Sequence, residues 1–432
     1  MSQFNFLVFE ADIEKAQTAE NHYLKTGDYQ ALDKAITSWE RILKHPDFNK
    51  VEENLRLGII NNSAGTYLRR YWATGSLKDL DCALFGWESL VKTLDNSPYL
   101  PIILNNLGNV LRNRYYHTGE SKDLEHSIAT FQKAREIIPT DSTELPSILS
   151  NLANVLRDNY IRTGNLEDLE QAIELYHQAI TLTPNNAPDL PSRLSNLGNV
   201  LSNRYEISGK VENLEQAIEL YHRAIALTPS HSPDLPSHLS NLGNALSSRY
   251  EISGKVENLE QAIELYHQAI ALTPNNSPEL PSRLNNLGNT LSHRYTETGE
   301  IKDLERAIEL YHQAIALTPN NSPELPSRLN NLGNALSNRY ASTGKFENLQ
   351  QVLKLYHQAI ALTPDNSPEL ANRLSNLGNA LNSRYADTRK LEDLQQAIKT
   401  YQQAIKLSPH RSSNLTEILN ELESELHNYV LC

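Results

Sequence analysis

A four-residue motif, Asn-Leu-Gly-Asn, recurs along this chain and constrains its fold more than any other feature. The motif begins at position 106 and returns with a period of 45 residues, at 196, 241, 286, 331 and 376, with the variant Asn-Leu-Ala-Asn at 151. A fixed period of this length indicates stacked structural units, each of which buries its apolar face against the next. The 432 residues therefore need no division into separate globular domains.

Composition narrows the class of protein. The net charge of −13 argues against a nucleic-acid partner, because binding a phosphate backbone requires a basic face. Two cysteines, Cys82 and Cys432, do not make a disulfide framework. The first residues lack the basic segment of a signal peptide, and no apolar run approaches the roughly 18–20 residues that span a bilayer. These features predict a cytoplasmic protein that does not associate with membranes.

One repeat, residues 187–231, shows the pattern of two helices. Each helix has one apolar face. The face of the first helix consists of Leu194, Leu197, Leu201 and Tyr205. The face of the second helix consists of Ala217, Ile218, Tyr221, Ala224 and Ile225. Ser208-Gly209 separates the helices, and Thr228-Pro229 ends the second. Asn213 followed by Gln216 predicts a capping box at the start of the second helix.

The repeat varies at both ends of the chain. Residues 1–50 are predicted to form a diverged N-terminal capping repeat, residues 51–410 the array of 45-residue units, and residues 411–432 a C-terminal capping helix. The expected fold is all-α, with about eight helix pairs and one closing helix.

The pattern resembles the tetratricopeptide repeat family. The resemblance rests on Leu197-Gly198 and Leu201 in the first helix, and on Ala217, Tyr221, Ala224 and Pro229 in the second. It implies a right-handed α-solenoid of helix-turn-helix repeats that binds other proteins. The unit is longer than the family's usual length of about 34 residues. This long form resembles arrays attached to caspase-like protease or nucleotide-switch domains in bacterial proteins, but no such effector domain is recognised in this chain.

The first helix carries a face that is polar but uncharged, and this face is the candidate site. Ser and Asn are poorer helix formers than the Lys, Glu and Gln of ordinary exposed faces, so their repeated use indicates a function. In the family this face lines the inner groove. The candidate protein-binding residues are Asn109, Asn154, Asn199, Asn244, Asn289, Asn334 and Asn379, together with Asn196, Asn241, Asn286, Asn331 and Asn376.

A carboxamide has both a donor and an acceptor, so it can pair with any peptide bond. The hypothesis is therefore an extended segment or a helix of a partner protein held in the groove by these asparagines. The alternative is that the asparagines bond to each other between units and only stabilise the stack. A second function, from another class, is a sensor or regulatory subunit whose protease-like or nucleotide-hydrolysing effector lies on a separate chain.

Other chemistries find less support in the sequence. A clamp for a terminal carboxylate needs Lys or Arg where this chain has Ser192, Ser195 and Asn196. The histidine that recurs after the helix-B aromatic, such as His222, is predicted to be solvated, since ligands from different repeats cannot converge within about 2 Å of one metal ion. The arginines that precede a tyrosine, such as Arg204 and Arg249, are predicted to pair with acids at the start of the second helix. No catalytic motif occurs, so we expect neither enzyme activity nor a cofactor.

Overall fold

Helices make up nearly all of the computed structural model, which describes residues 3–94, 97–407 and 413–431. The helices of these residues are α1 (Gln3–Thr26), α2 (Gln30–Leu43), α3 (Glu53–Thr74), α4 (Leu77–Thr93), α5 (Leu100–Thr118), α6 (Ser121–Ile137), α7 (Leu145–Thr163), α8 (Leu166–Thr181), α9 (Leu190–Ser208), α10 (Val211–Leu227), α11 (Leu235–Ser253), α12 (Val256–Ala271), α13 (Leu280–Thr298), α14 (Ile301–Ala316), α15 (Leu325–Thr343), α16 (Phe346–Ala361), α17 (Glu369–Thr388), α18 (Leu391–Leu407) and α19 (Ser413–Leu431). A 3-10 turn spans Phe48–Lys50.

The helices pair in chain order within two compact units, Met1–Leu220 and Tyr221–Cys432. In the first unit α1 packs on α2, α3 on α4, α5 on α6 and α7 on α8; in the second, α11, α13, α15 and α17 each pack on the helix that follows. The odd-numbered helices, called helix A below, also touch the next helix A, as α5 touches α7 and α13 touches α15. The prediction of an all-α stack of helical hairpins is confirmed. Eight such pairs are formed by the described residues within the two units, one of them by α1 and α2, and α19 follows α18.

Helix A ends where the chain needs a left-handed residue. Gly209 has φ 64° and its N–H donates to the carbonyl of Tyr205 at 2.8 Å, so the break predicted at Ser208-Gly209 is confirmed. The predicted capping box is wrong. Helix α10 already begins at Val211, and the N–H of Asn213 donates to the carbonyl of Lys210 at 3.1 Å, within the first turn.

The aromatic residue of the second helix, called helix B below, packs directly on the glycine of the motif. A Cβ atom added at Gly333 would lie 2.5 Å from Cε1 of Tyr356, and one at Gly288 would lie 2.8 Å from Cε1 of Tyr311. Both tyrosines are 2% exposed. The two helices can approach this closely only because the glycine has no side chain.

A buried arginine near the start of helix A connects successive repeats. In the second unit Arg283 donates to Oγ1 of Thr273 at 2.5 Å and to Oγ of Ser237 at 3.0 Å, and Arg328 and Arg373 make the corresponding pairs of bonds. The threonine lies just beyond the C-terminus of helix B, whose unpaired carbonyls favour a positive charge. Each arginine therefore joins its own helix A to the preceding helix A and helix B.

One repeat has a histidine in place of this arginine. His238 is 4% exposed, and neither of its ring nitrogens has a hydrogen-bond partner among the described residues. Burial lowers the pKa of His238, and the nearby Asp234 offsets part of that effect. Thr228, the equivalent of Thr273, bonds to the carbonyl of Ala224 at 2.6 Å. An unpaired buried imidazole costs stability.

We expect His238→Arg to stabilise the protein by about 1 kcal/mol at pH 7.4, because the guanidinium gains Thr228 as an acceptor. The wild type should also lose stability as the pH falls below about 6.5, because the unfolded chain then binds a proton that the buried imidazole resists. The stability of His238→Arg should not fall with pH for this reason, because the variant has no imidazole at this position. Urea unfolding followed by circular dichroism at pH 7.4 and 5.5 measures both effects. Arg328→His is the matched reverse change and should destabilise; a less stable His238→Arg would contradict the expectation.

Candidate functional site

Two rows of asparagines follow helix A, at the positions predicted from the motif. The asparagine ladder consists of the last residue of each motif, Asn109, Asn154, Asn199, Asn244, Asn289, Asn334 and Asn379. Of these, Asn244, Asn334 and Asn379 are exposed and the others are half-buried. The second row, Asn196, Asn241, Asn286, Asn331 and Asn376, is half-buried throughout. Both rows therefore remain within reach of a ligand.

The carboxamide oxygens of the ladder are already used inside the protein. The hydroxyl of the packed tyrosine donates to Oδ1 of the ladder asparagine in five described repeats, in the pairs Tyr176–Asn154 (2.6 Å), Tyr266–Asn244 (2.5 Å), Tyr311–Asn289 (2.8 Å), Tyr356–Asn334 (2.7 Å) and Tyr401–Asn379 (2.6 Å). Where helix B has Phe131 instead of tyrosine, Asn109 cannot receive this bond. The tyrosine thus fixes the orientation of the amide.

Three asparagines of the second row bond to the ladder of the preceding repeat. In the second unit, Nδ2 of Asn286 donates to Oδ1 of Asn244 at 3.0 Å, and Nδ2 of Asn331 donates to Oδ1 of Asn289 at 3.1 Å. Asn376 makes the same bond to Asn334 at 3.2 Å. A carbonyl oxygen has two lone pairs, so these ladder oxygens have their full set of donors. The second row therefore connects neighbouring repeats.

The side-chain amino groups of five ladder asparagines have no such partner. In the part of the chain that the structure describes, Nδ2 of Asn154, Asn244, Asn289, Asn334 and Asn379 donates to no protein atom. The ladder therefore presents donors rather than complete amides. It can bind acceptors such as backbone carbonyls, while the opposite half of each amide holds the stack together.

The arginines near the end of helix A pair mainly within their own hairpin. Arg294 donates to Asp303 at 2.6 and 2.7 Å, whereas Arg249 donates to the amide oxygen of Asn258 at 2.9 Å. The prediction of pairing at the start of helix B is right in location, and Asn258 is one of the groups that Arg249 bonds there. Arg204 differs, since it pairs at 2.9 Å with Glu170 in the preceding helix B. These arginines therefore bond to other residues of the repeats.

Sequence reasoning missed an apolar feature of helix A in the first unit. Three side chains that each precede the C-cap glycine by three residues are strongly exposed: Trp72 (61%), Tyr116 (56%) and Ile161 (64%). We call them the apolar stripe. Alignment of the repeats on their C-cap glycines would have found them, because the same position holds Glu206 in the next repeat.

Other kinds of site find no support in the described residues. The recurring histidines of helix B, His177, His222, His267, His312 and His357, are exposed, and no cluster of His, Cys, Asp and Glu in the described ranges could hold a metal ion. Across those same ranges, every helix is too short or too polar to serve as a transmembrane span.

Comparison with known proteins identifies the repeat. Models of the tetratricopeptide repeat match residues 192–232, 237–271 and 370–410, and a further one matches residues 165–186. A Sel1 repeat model matches residues 284–318. A model of the N-terminal domain of Peptidase_S41 in eukaryotic IRBP matches residues 305–376, which here are repeat helices. These matches support the tetratricopeptide repeat superfamily. Comparison with curated proteins gives no match.

Several solved structures resemble the chain. A putative kinesin light chain with nearly identical TPR-like repeats from Podosopora anserina is 20% identical, with a TM-score of 0.36 over 51% of this chain and 97% of that one. YrrB, described as a TPR protein with an unusual peptide-binding site, is 18% identical, with a TM-score of 0.36 over 58% and 99%. The C-terminal part of a TPR repeat-containing protein from Cytophaga hutchinsonii is 13% identical, with a TM-score of 0.41 over 69% and 95%.

Proposed function

We propose that this protein is a binding module that holds an extended segment of a partner protein along helix A, with no catalysis of its own. The repeats support a protein-interaction scaffold in general. The observation that carries the specific proposal is that the side-chain amino groups of Asn289, Asn334 and Asn379 donate to no protein atom among the described residues. These donors suit backbone carbonyls, which every peptide supplies whatever its side chains. Affinity would then come from the main chain, and specificity from the residues around the ladder.

The ladder amides also stabilise the stack, so a test must separate the two roles. Substitution by aspartate does so, because a carboxylate keeps the acceptor oxygen for tyrosine and the second row but removes the amino donor. In the second unit we choose Asn289→Asp/Asn334→Asp. The matched control is His267→Asp/His312→Asp, which adds the same number of acidic groups at exposed positions of helix B.

Peptides selected from a random display library on the wild type serve as ligands, with affinity measured by fluorescence anisotropy. We expect the double aspartate variant to bind them at least about tenfold more weakly, for the loss of two hydrogen bonds of about 1 kcal/mol each. The histidine control should bind like the wild type. Equal affinity of the ladder variant and the wild type, with both folded by circular dichroism, would show that the ladder is only structural.

A regulatory subunit for an effector enzyme on another chain stays a prediction from the sequence. Stoichiometric co-purification of a protease-like or nucleotide-binding chain would support it. A cytoplasmic location is part of the same proposal, and fractionation of cells that express the protein tests it.

A further inference from the structure

The apolar stripe is continuous from one repeat to the next. Nε1 of Trp72 on α3 donates to Oδ1 of Asn113 on α5 at 3.4 Å, and Asn113 lies one turn before Tyr116. The hydroxyl of Tyr116 donates to Oδ2 of Asp158 on α7 at 2.6 Å, and Asp158 lies one turn before Ile161. Each ring is thus anchored by its polar tip to the helix that carries the next member. The side chains of Trp72 and Tyr116 are 61% and 56% exposed, although the guanidinium of Arg112 lies over one face of the Tyr116 ring, 5.1 Å from its centroid.

The stripe is specific to the first unit. The same position holds Glu251, Thr296, Ala341 and Ala386 in the second unit. An exposed row of large apolar side chains is uncommon on a soluble surface unless it binds something.

The stripe runs beside the asparagine ladder. Tyr116 follows Asn109 by seven residues, and Ile161 follows Asn154 by seven, so both pairs lie on one face of their helix about 10 Å apart. Packed neighbouring helices are about 8–10 Å apart. A polyproline-II chain advances about 3.1 Å per residue and returns to the same face every third residue, or about 9 Å. One turn of such a chain is therefore comparable to the distance between A helices that touch, such as α5 and α7.

The hydrogen-bond donors of the ladder also suit a polyproline-II ligand. Oδ1 of Asn154 accepts from Tyr176, and the amino group of Asn154 donates to no protein atom among the described residues. A donor needs only a carbonyl from the ligand, and proline has a carbonyl but no N–H. A proline-rich segment thus loses nothing on this surface, whereas a β-strand would leave its N–H groups unpaired.

An acidic residue occupies the position after the last member of the apolar stripe. Glu206, on α9, occupies the stripe position after Ile161, and its carboxylate pairs with no cation among the described residues. Between the ladder and the stripe, Arg112 and Arg157 share the carboxylate of Asp158, so those cations are already paired. A ligand that reaches Glu206 should therefore carry a basic residue.

We propose that the apolar stripe binds a polyproline-II segment of a partner protein with a large apolar side chain at every third residue and Lys or Arg three residues beyond the last. The apolar side chains lie on Trp72, Tyr116 and Ile161, the base reaches Glu206, and the backbone carbonyls face the ladder of the first unit. This inference rests on the proposed function, since it names the ligand that the helix-A surface holds.

A synthetic peptide of three Phe-Pro-Pro triplets followed by Arg tests the spacing. Its isomer has the same composition, with the three phenylalanines consecutive. Trp72 provides a local signal, because Trp39 and Trp87, the other tryptophans, are 0% and 3% exposed. We expect the triplet peptide to protect Trp72 from acrylamide and to bind at least about tenfold more tightly than the isomer. Equal binding of the two, or no binding of the triplet peptide at about 1 mM, overturns the proposal.

Variants of the first unit assign the contacts. Ile161→Asp should abolish the preference for the triplet peptide, whereas Phe85→Asp, at a side chain 75% exposed on α4, should leave it unchanged. Glu206→Gln should weaken binding of the Arg peptide by about threefold or more and leave a peptide with Ala in that place unaffected. Equal losses in Ile161→Asp and Phe85→Asp would contradict a defined stripe.

The ladder variant Asn109→Asp/Asn154→Asp separates this inference from the proposed function. If it weakens both peptides while Ile161→Asp changes neither, the ladder binds and the stripe is wrong. If Ile161→Asp removes the preference while the ladder variant binds normally, the stripe binds and the ladder proposal is wrong.

Discussion

Asp158→Ala should destabilise the first unit by about 3 kcal/mol, because it leaves two guanidinium groups without their shared counter-ion. The carboxylate accepts from Nε of Arg112 at 2.6 Å, from the hydroxyl of Tyr116 at 2.6 Å and from Arg157 at 3.3 Å. Its side chain is 4% exposed, and those of Arg112 and Arg157 are 19% and 20% exposed. Like charges would then face each other with little water to screen them.

Tryptophan fluorescence during urea unfolding measures this loss, since Trp39, Trp72 and Trp87 all lie in the first unit. Asp158→Asn keeps one acceptor oxygen and should lose less than Asp158→Ala. Asp141→Ala, which removes an exposed carboxylate from a loop of the same unit, should change stability by no more than about 0.5 kcal/mol. An unchanged urea midpoint for Asp158→Ala would show that solvent already screens the two arginines.

Gly333→Val should destabilise the second unit by about 3 kcal/mol, because the new side chain overlaps the ring of Tyr356. Even a Cβ atom would lie 2.5 Å from Cε1 and 2.9 Å from Cδ1 of that ring. The ring cannot move freely, since it is buried and its hydroxyl donates to Asn334 at 2.7 Å. Valine is chosen because one repeat has alanine, Ala153, at the glycine position of the motif.

Gly58→Val is the matched control, because a Cβ atom at this helical glycine meets nothing within 4 Å. The helix propensities of Val and Gly differ by only about 0.4 kcal/mol in favour of Val. Circular dichroism in urea compares the two variants with the wild type. Equal midpoints for Gly333→Val and Gly58→Val would mean that the close contact of glycine and tyrosine contributes nothing to stability.

The helical hairpins could be predicted from particular residues. The period of the Asn-Leu-Gly-Asn motif defined the unit, and Gly209 marked the end of helix A in the correct place. The start of helix B was less predictable, because Asn213 looked like a cap although the helix begins at Val211. Asn213 lies within the first turn instead, where its side chain donates to Oγ of Ser208 at 3.3 Å.

The candidate site could be located from the sequence but not described. Both asparagine rows lie on helix A as predicted. Whether the oxygen or the amino group of a ladder amide is available depends on two other residues. One is a tyrosine 22 residues away in the chain, such as Tyr311 or Tyr356, and the other is an asparagine 42 residues away. Whether the available half binds a partner remains the proposal that the aspartate variants test.

The sequence by itself determined the repeat and its apolar faces, because periodicity and turn residues are local properties that can be read from the residues of each unit. Only the tertiary structure decided which polar groups are used up. The tyrosine hydroxyl, the second asparagine row and the shared counter-ion Asp158 act between helices, and a hydrogen bond exists only where two helices place a donor and an acceptor about 3 Å apart. What remains after that pairing is the exposed rings of Trp72 and Tyr116 and the unpaired amino groups of Asn154, Asn244, Asn289, Asn334 and Asn379.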